Sequence, residues 1–291
     1  MAIEIKKNEL LKNYSTFKIG GPADYFVSVK DKEEFLEAVN FARDKKIPYF
    51  IIGGASNILF GDEGYRGLII QSQFSGISYK DSVITVGSGV LLSQLLNFCI
   101  QNDLSGLEWA IGIPGTVGGA IVDNSGAYGH SVSENVISVS AIDADGNIKR
   151  YDKDDCLFAY RESRFKKQKI SEGKMDFILE AGFQFLKKGR AEIMEEIQKN
   201  LLQRKDRIPA HPSVGCIFKN PKPQSAGRLI EMCGLKGKRI GDVMISNEHA
   251  NIMINLGDGT AKDVLELIQL CKEAVKKNFN IELEEEVIKV L

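Results

Sequence analysis

The chain is poor in residues that build metal centres and disulfide frames. Its three histidines, His130, His211 and His249, are too far apart for a local ligand motif, so no metal is expected. Five cysteines, Cys99, Cys156, Cys216, Cys233 and Cys271, form an odd set without a C-x-x-C pair, which fits reduced thiols rather than a disulfide frame. No apolar run is long enough to span a bilayer, and Met1–Lys7 lacks an apolar core of signal-peptide length. A cytoplasmic protein without membrane insertion is expected. An excess of one charge is also missing. The 38 Lys and Arg face 39 Asp and Glu, which argues against a nucleic-acid binder built on a basic stripe and leaves a local anion pocket open. Internal repeats and low-complexity tracts are absent.

What is present is ordinary globular composition, 43% apolar and 26% charged over 291 residues, long enough for two or three lobes. Tyr25–Val29 reads as a strand, and Asp31 with Glu34 reads as a capping box for a helix carrying Phe35, Ala38, Val39 and Ala42. A return strand, Pro48–Ile52, runs into Gly53-Gly54-Ala55-Ser56-Asn57. Strands at Leu68–Gln71 and Val83–Val86 precede a helix near Leu91–Gln101. Gly106 to Gly129 shows no sustained period and reads as a long loop with one short helical turn. Val136–Ile142 and Ile148–Tyr151 flank a hairpin signal, and Phe177–Phe185 adds another strand. A linker at Leu186–Gly189 sets the expected boundary. Residues 1–186 form one region, divided near residue 70, and 187–291 form a second domain with helices at Ala226–Cys233 and from Thr260, and strands at Asn251–Asn255 and Ile281–Leu291.

Two glycine-rich loops fall in the first region. Neither matches the dinucleotide G-x-G-x-x-G turn or the lysine-containing P-loop, which disfavours a nicotinamide Rossmann fold. Gly53, Gly54, Ala55, Ser56 and Asn57 in one loop, and Gly115, Thr116, Gly118, Gly119 and Ala120 in the other, offer backbone donors with little side-chain obstruction, and Pro114, Asn124, Gly126 and Ala127 complete the candidate cofactor-binding residues of the second loop. Together they suit an extended dinucleotide. Tight turns alone are the bland alternative.

The runs N-Y-S-T-F-K-I-G-G-P-A-D, I-I-G-G-A-S-N-I-L-F, G-L-E-W-A-I-G-I-P-G-T-V-G-G-A-I-V-D-N-S-G-A-Y-G, Y-R-E-S-R-F, G-C-I-F-K-N-P and A-G-R-L-I-E-M-C-G-L-K-G-K-R-I-G occur in that order. H-A-N follows them. From Asn13 to Val287 the series resembles the MurB family of flavin reductases, in the compact form without a substrate-covering insertion. The resemblance implies an α+β fold: a two-lobed FAD-binding region of the vanillyl-alcohol-oxidase type and a smaller α+β substrate-binding domain whose C-terminal strand returns to the active site. It also implies NADPH as reductant, a UDP-sugar enolpyruvyl ether as substrate, and a role in peptidoglycan precursor synthesis. Neither glycine-rich loop holds a suitable His or Cys for a tether, so FAD is expected to be non-covalent. A monomer is expected.

The resemblance further assigns residues. Arg161 in Y-R-E-S-R-F is the arginine that would hold the substrate carboxylate through its planar fork. Cys216 stands where the family usually has a proton-donating serine. Glu286 matches the family's terminal glutamate, although strand alternation alone does not separate it from Glu285. Ile288 replaces a common family arginine. Arg204 resembles a position near flavin and Arg207 one near the substrate diphosphate, while Lys219 and Asn220 lie within the Cys216 motif as substrate contacts. His249 is expected to be a hydrogen-bonded structural residue, and Trp109 and Tyr128 to fill core. Two other readings stay open: an oxygen-using oxidase on the same scaffold, and a non-catalytic nucleotide binder.

Overall fold

Local chemistry explains where the elements begin. Asp31 caps the helix Lys32–Lys45 by accepting from the Glu34 amide at 2.8 Å. The expected reciprocal bond lands one residue early, because Glu34 accepts from the Lys30 amide at 2.7 Å. Phe35, Ala38, Val39 and Ala42 form the buried stripe of that helix. Thr260 caps the helix Ala261–Phe279 in a full capping box with Asp263, and Asp62 adds acceptors for the Ala261 and Lys262 amides at 2.7 and 3.0 Å.

The computed structural model describes residues 3–167, 176–205 and 207–291. The chain divides into two compact units. The first comprises Met1–Lys7, Tyr25–Gly54 and Arg66–Gln203, and the second Asn8–Asp24, Ala55–Tyr65 and Arg204–Leu291.

In the first unit, Tyr49–Ile52 pairs in parallel with Tyr65–Ser72, with Tyr49 opposite Leu68 and Ile52 opposite Gln71. The helix Lys32–Lys45 packs on this layer, burying Phe35 with Val27, Val29, Leu68 and Ile70, and Phe35 stacks on Phe177 at 4.5 Å. Burial of each such side chain contributes about 2 kcal/mol before conformational entropy is subtracted. A second, antiparallel sheet runs in the order Ile148–Asp152, Val136–Ile142, Phe177–Phe183, Val83–Gly87, Ile77–Lys80. Leu92, Leu95, Leu96 and Cys99 of the helix Leu92–Gln101 are buried in its core. Past the expected Leu186 boundary, Leu186–Lys187 pairs with Leu104–Ser105, and the helix Arg190–Lys205 places Ile193 and Ile197 in this same core.

The Gly106–Gly129 stretch is more regular than its sequence suggests. It holds a 3-10 turn at Glu108–Ala110 and a helix at Val117–Asp123, started by Thr116, whose Oγ1 accepts from the Gly119 amide at 3.3 Å. Trp109 is buried, as expected, with its Nε1 donating to Gly106 O at 3.2 Å. Tyr128 corrects the expectation of core filling: it stands exposed at φ +55°, in the turn that joins Gly126–Ala127 to His130–Ser131.

The second unit combines an antiparallel sheet of Arg239–Ile240, Val243–Ile245 and Met253–Asn255 with the helices Ala226–Met232 and Ala261–Phe279. The expected strand Ile281–Leu291 is regular only at Ile288–Val290, which pairs in parallel with Ile58–Phe60. Upstream, single backbone bonds to other segments replace a ladder. Among the described residues no helix is long and apolar enough to cross a membrane.

All five cysteines are free thiols. Burial pushes the Cys99 and Cys271 thiols up to about 12 and Cys156 up to about 11. Thiolate is the reactive form. Iodoacetamide at pH 8 is therefore expected to label only Cys216 and Cys233 in the native protein, and all five after unfolding, as read by intact mass and peptide mapping. Native labelling of Cys99 or Cys271 would contradict the packing described.

Candidate active site

Within the first unit the two glycine-rich loops touch. A Cβ on Gly53 would lie 2.2 Å from Thr116 Oγ1, and one on Gly54 would lie 3.3 Å from the Gly115 Cα. Glycine is required at Gly53 by this approach, not by backbone strain. Among the described residues, the amides of Gly53, Gly54, Gly115 and Thr116 donate to no protein acceptor. Four adjacent donors of this kind suit an anionic or ring-edge acceptor.

Other donors expected in this loop are engaged internally. The Gly118 amide donates to Ser88 O at 2.8 Å, the Ala120 amide to Thr116 O at 2.9 Å, and the Gly119 amide to Thr116 Oγ1. Asn124 ends the helix at φ +43°, donating through Nδ2 to Ala159 O at 2.8 Å and accepting at Oδ1 from the Ser133 amide at 3.3 Å. Gly126 packs so closely on the following strand that a Cβ would meet His130 O at 2.1 Å. Ala127 pairs with His130, and Pro114 is exposed. Arg161 also belongs to this unit, in a tight turn after Ala159.

The second unit brings together Asn57, the Cys216 motif and Glu286. Cys216 is half-buried and starts an extended segment, forming a single antiparallel bridge with Ile252. The Ile217 amide donates to Asn251 O at 2.8 Å, while Ile217 O accepts from the Glu286 amide at 2.8 Å. Asn57 Nδ2 donates to Glu286 O at 3.3 Å, and Asn57 O accepts from the Ile288 amide at 3.0 Å. The order Asn57, Glu286, Ile217 is thus fixed by backbone bonds. Ala55 and Ser56 precede Asn57 in the same loop, with Ala55 buried at φ +45°.

Lysines occupy the neighbouring carboxylates. Glu284 pairs with Lys219, Glu282 with Lys276, and Glu285 with both Lys272 and Lys289. Burial alone would raise the Glu285 carboxyl, but the hydrogen bonds from Lys272 and Lys289 outweigh it and hold the group below its ordinary range. Glu285 therefore works as a structural ion pair on the face that buries Leu283 and Val287. Asn220 Oδ1 accepts from the Ala226 amide at 3.0 Å at the start of a helix. Arg204 is half-buried near the end of its helix and Arg207 is exposed beyond it.

Asn251 is a residue whose role the sequence did not reveal. Its carboxamide bonds both backbone groups of Phe218, accepting from the amide at 2.9 Å and donating to the carbonyl at 2.8 Å. Its own amide donates to His249 Nδ1 at 3.2 Å, which requires an unprotonated Nδ1. An Asn two residues after a His, beside an apolar strand, was the available signal.

Residues 23–152 match the family described as FAD binding domain, and residues 203–290 match UDP-N-acetylenolpyruvoylglucosamine reductase, C-terminal domain. The UDP-N-acetylenolpyruvoylglucosamine reductase of Clostridium novyi is 40% identical over 286 residues, covering 98% of this chain and 91% of that protein. That of Desulforamulus reducens is 41% identical over 286 residues, covering 97% and 92%. A crystal structure of the Thermus caldophilus enzyme (MurB) aligns with TM-score 0.83 at 35% identity over 99% of each chain.

Burial, then the nearby charges of Lys236 and Arg207, holds the His249 imidazole below its ordinary value. The neutral form is thus favoured by folding. Its contribution to stability is complete above the unfolded value near 6.5 and is lost as pH falls through the folded value. Denaturant midpoints measured from pH 7.5 down to 5.0 are expected to drop more steeply for the natural protein than for His249→Gln. Parallel profiles would refute the assignment.

Proposed function

The chain belongs to the UDP-N-acetylenolpyruvoylglucosamine reductase (MurB) family, and from that premise we propose how its residues divide the work of the reaction. It is an FAD-dependent oxidoreductase that reduces UDP-N-acetylglucosamine enolpyruvate to UDP-N-acetylmuramate with NADPH, in peptidoglycan precursor synthesis. The observation that carries the division of roles is the bond from the Glu286 amide to Ile217 O, which sets Glu286 beside the Cys216 segment.

FAD, when bound, supplies hydride transfer from NADPH to the vinyl carbon of the enolpyruvyl ether. The side-chain-free contact of Gly53 and Gly54 with Gly115 and Thr116 fits a dinucleotide lying against the four unengaged amides. Neither of these loops carries a His or Cys, so the group is held without a covalent tether. Ala55, Ser56, Asn57, Gly126, Ala127 and Arg204 complete its surroundings in this reading. The first compact unit holds most of the FAD-binding region, and Arg204–Leu291 with the two short N-terminal segments of the second unit forms the substrate-binding part, which moves the boundary from the expected Leu186 to residue 203.

Arg161 holds the substrate carboxylate through two parallel N–H donors and so stabilises the negative charge that develops there after hydride arrival. Cys216 donates its Sγ proton to the carbon next to that carboxylate, and solvent restores the proton to the thiolate. An ordinary thiol ionises near 8.5, which makes it a readier acid than a serine hydroxyl. Glu286 orients the acid. Lys219, Asn220 and Arg207 contact the nucleotide sugar. The protein acts as a cytoplasmic monomer.

Gly53→Ala is expected to purify folded but with flavin content lowered at least about fivefold, because the new methyl displaces Thr116. The ratio of 450 to 280 nm absorbance measures this, and a full complement of flavin would sink the cradle. Stopped-flow traces test the acid. Cys216→Ala should be reduced by NADPH at the natural rate yet be reoxidised by enolpyruvyl substrate about a hundredfold more slowly, with Cys216→Ser retaining activity. Unchanged reoxidation in Cys216→Ala would remove Cys216 from the mechanism.

A further inference from the structure

Arg161 stands on unusual backbone, and one helix end braces it. Ala159 and Glu162 exchange both backbone bonds at 3.0 Å, closing a two-residue turn with Tyr160 and Arg161 at its tip. Arg161 adopts φ +57°, a left-handed conformation that a non-glycine residue keeps only when its surroundings enforce it.

Three consecutive residues at the end of the helix Val117–Asp123 supply that enforcement. Val122 O accepts from Ser163 Oγ at 2.7 Å. Asp123 Oδ1 accepts from Lys166 Nζ at 2.6 Å, and the same Nζ donates to Arg161 O at 3.2 Å. Asn124 Nδ2 donates to Ala159 O, at the other stem of the turn. The Asp123 and Lys166 side chains are only 13% and 19% exposed, so the pair is weakly screened. The other end of this helix starts at Thr116, in the loop that fits FAD.

We infer that Asn124 and the Asp123–Lys166 pair are positioning residues for Arg161, fixing the turn from which its guanidinium projects. The inference rests on the reading of Arg161 as the carboxylate-binding residue. A preset turn removes conformations that substrate binding would otherwise have to freeze out, so its loss weakens the step that uses Arg161 and spares the other. Asn124 acts here through its carboxamide. Glycine at this position keeps the left-handed cap while deleting that group.

The test uses flavin-loaded, full-length enzyme carrying Asn124→Gly or Lys166→Gln. Expected are flavin reduction by NADPH within about twofold of the natural rate and flavin reoxidation by enolpyruvyl substrate slowed about tenfold, with substrate binding to the oxidised enzyme weakened in step. In an Arg161→Ala background each change should add less than about twofold. If Arg161→Ala slows reoxidation and neither variant does, the positioning role is overturned and Arg161 stands. If Arg161→Ala leaves reoxidation unchanged, the reading of Arg161 falls and takes the inference with it. Equal slowing of both half-reactions, full additivity with Arg161→Ala, or failure of both variants to fold overturns the inference by showing a general scaffold role.

Discussion

The extended segment Cys216–Lys219 is claimed from both sides, and the candidate residues of the second unit hang from it. Asn251 contributes its carbonyl to the Ile217 amide and its carboxamide to both backbone groups of Phe218, while the Glu284–Glu286 stretch supplies the remaining bonds to Ile217 and Lys219. Neither neighbour forms a continuous ladder with the segment, since only isolated bridges at Cys216 and Phe218 are present. A side chain therefore does what a strand would do elsewhere. Phe218 is fully buried, and deleting the carboxamide would strand its N–H and C=O without water, at about 1–3 kcal/mol for each group. Cys216 owes its place to Asn251, and Asn251 owes its own to a neutral His249.

The first unit solves a comparable problem with small residues. Its two loops approach closely because Gly53, Gly54 and Gly115 lack side chains, and the result is a patch of amides unclaimed among the described residues. The helix that leaves this patch ends on the braced turn of Arg161. At about 1.5 Å of rise per residue, this helix carries position over roughly 10 Å. The Gly115–Thr116 loop and the Arg161 turn are thereby joined through a single helix.

Much of this was legible in sequence where period and capping agree. The helix Lys32–Lys45 and its cap, the helix beginning after Thr260, and the hairpin between Val136–Ile142 and Ile148–Asp152 follow directly from residue pattern. The helix Val117–Asp123 was hidden because Gly118 and Gly119 open it, and glycine propensity argues against a helix. Thr116 three residues before Gly119 was the capping signal that outweighed it. The strand expected over Ile281–Leu291 was overextended for a different reason: Leu283 and Val287 are buried in alternation with polar residues, yet the backbone bonds of Glu284 and Glu286 go to Lys219 and Ile217 while that of Ile288 goes to Asn57. Alternation reports burial, not pairing. Lys166 was invisible as a site-shaping residue and Asn251 was signalled only by its place two after a His, because their bonds reach residues 43 and 33 positions away.

Charge balance explains how four clustered glutamates can pack within the second unit. Glu282, Glu284, Glu285 and Glu286 fall within five positions, which crowds four like charges into one short segment. Lys276, Lys219, Lys272 and Lys289 counter the first three through ion pairs drawn from three different parts of the chain. Two of these lysines lie on the helix Ala261–Phe279, whose buried stripe fixes its distance from the terminal segment. The same terminal segment bonds through Glu286 to Ile217 and, through Glu286 and Ile288, to Asn57. A stretch that composition alone would assign to a solvated edge is instead tied down on both sides of Glu286.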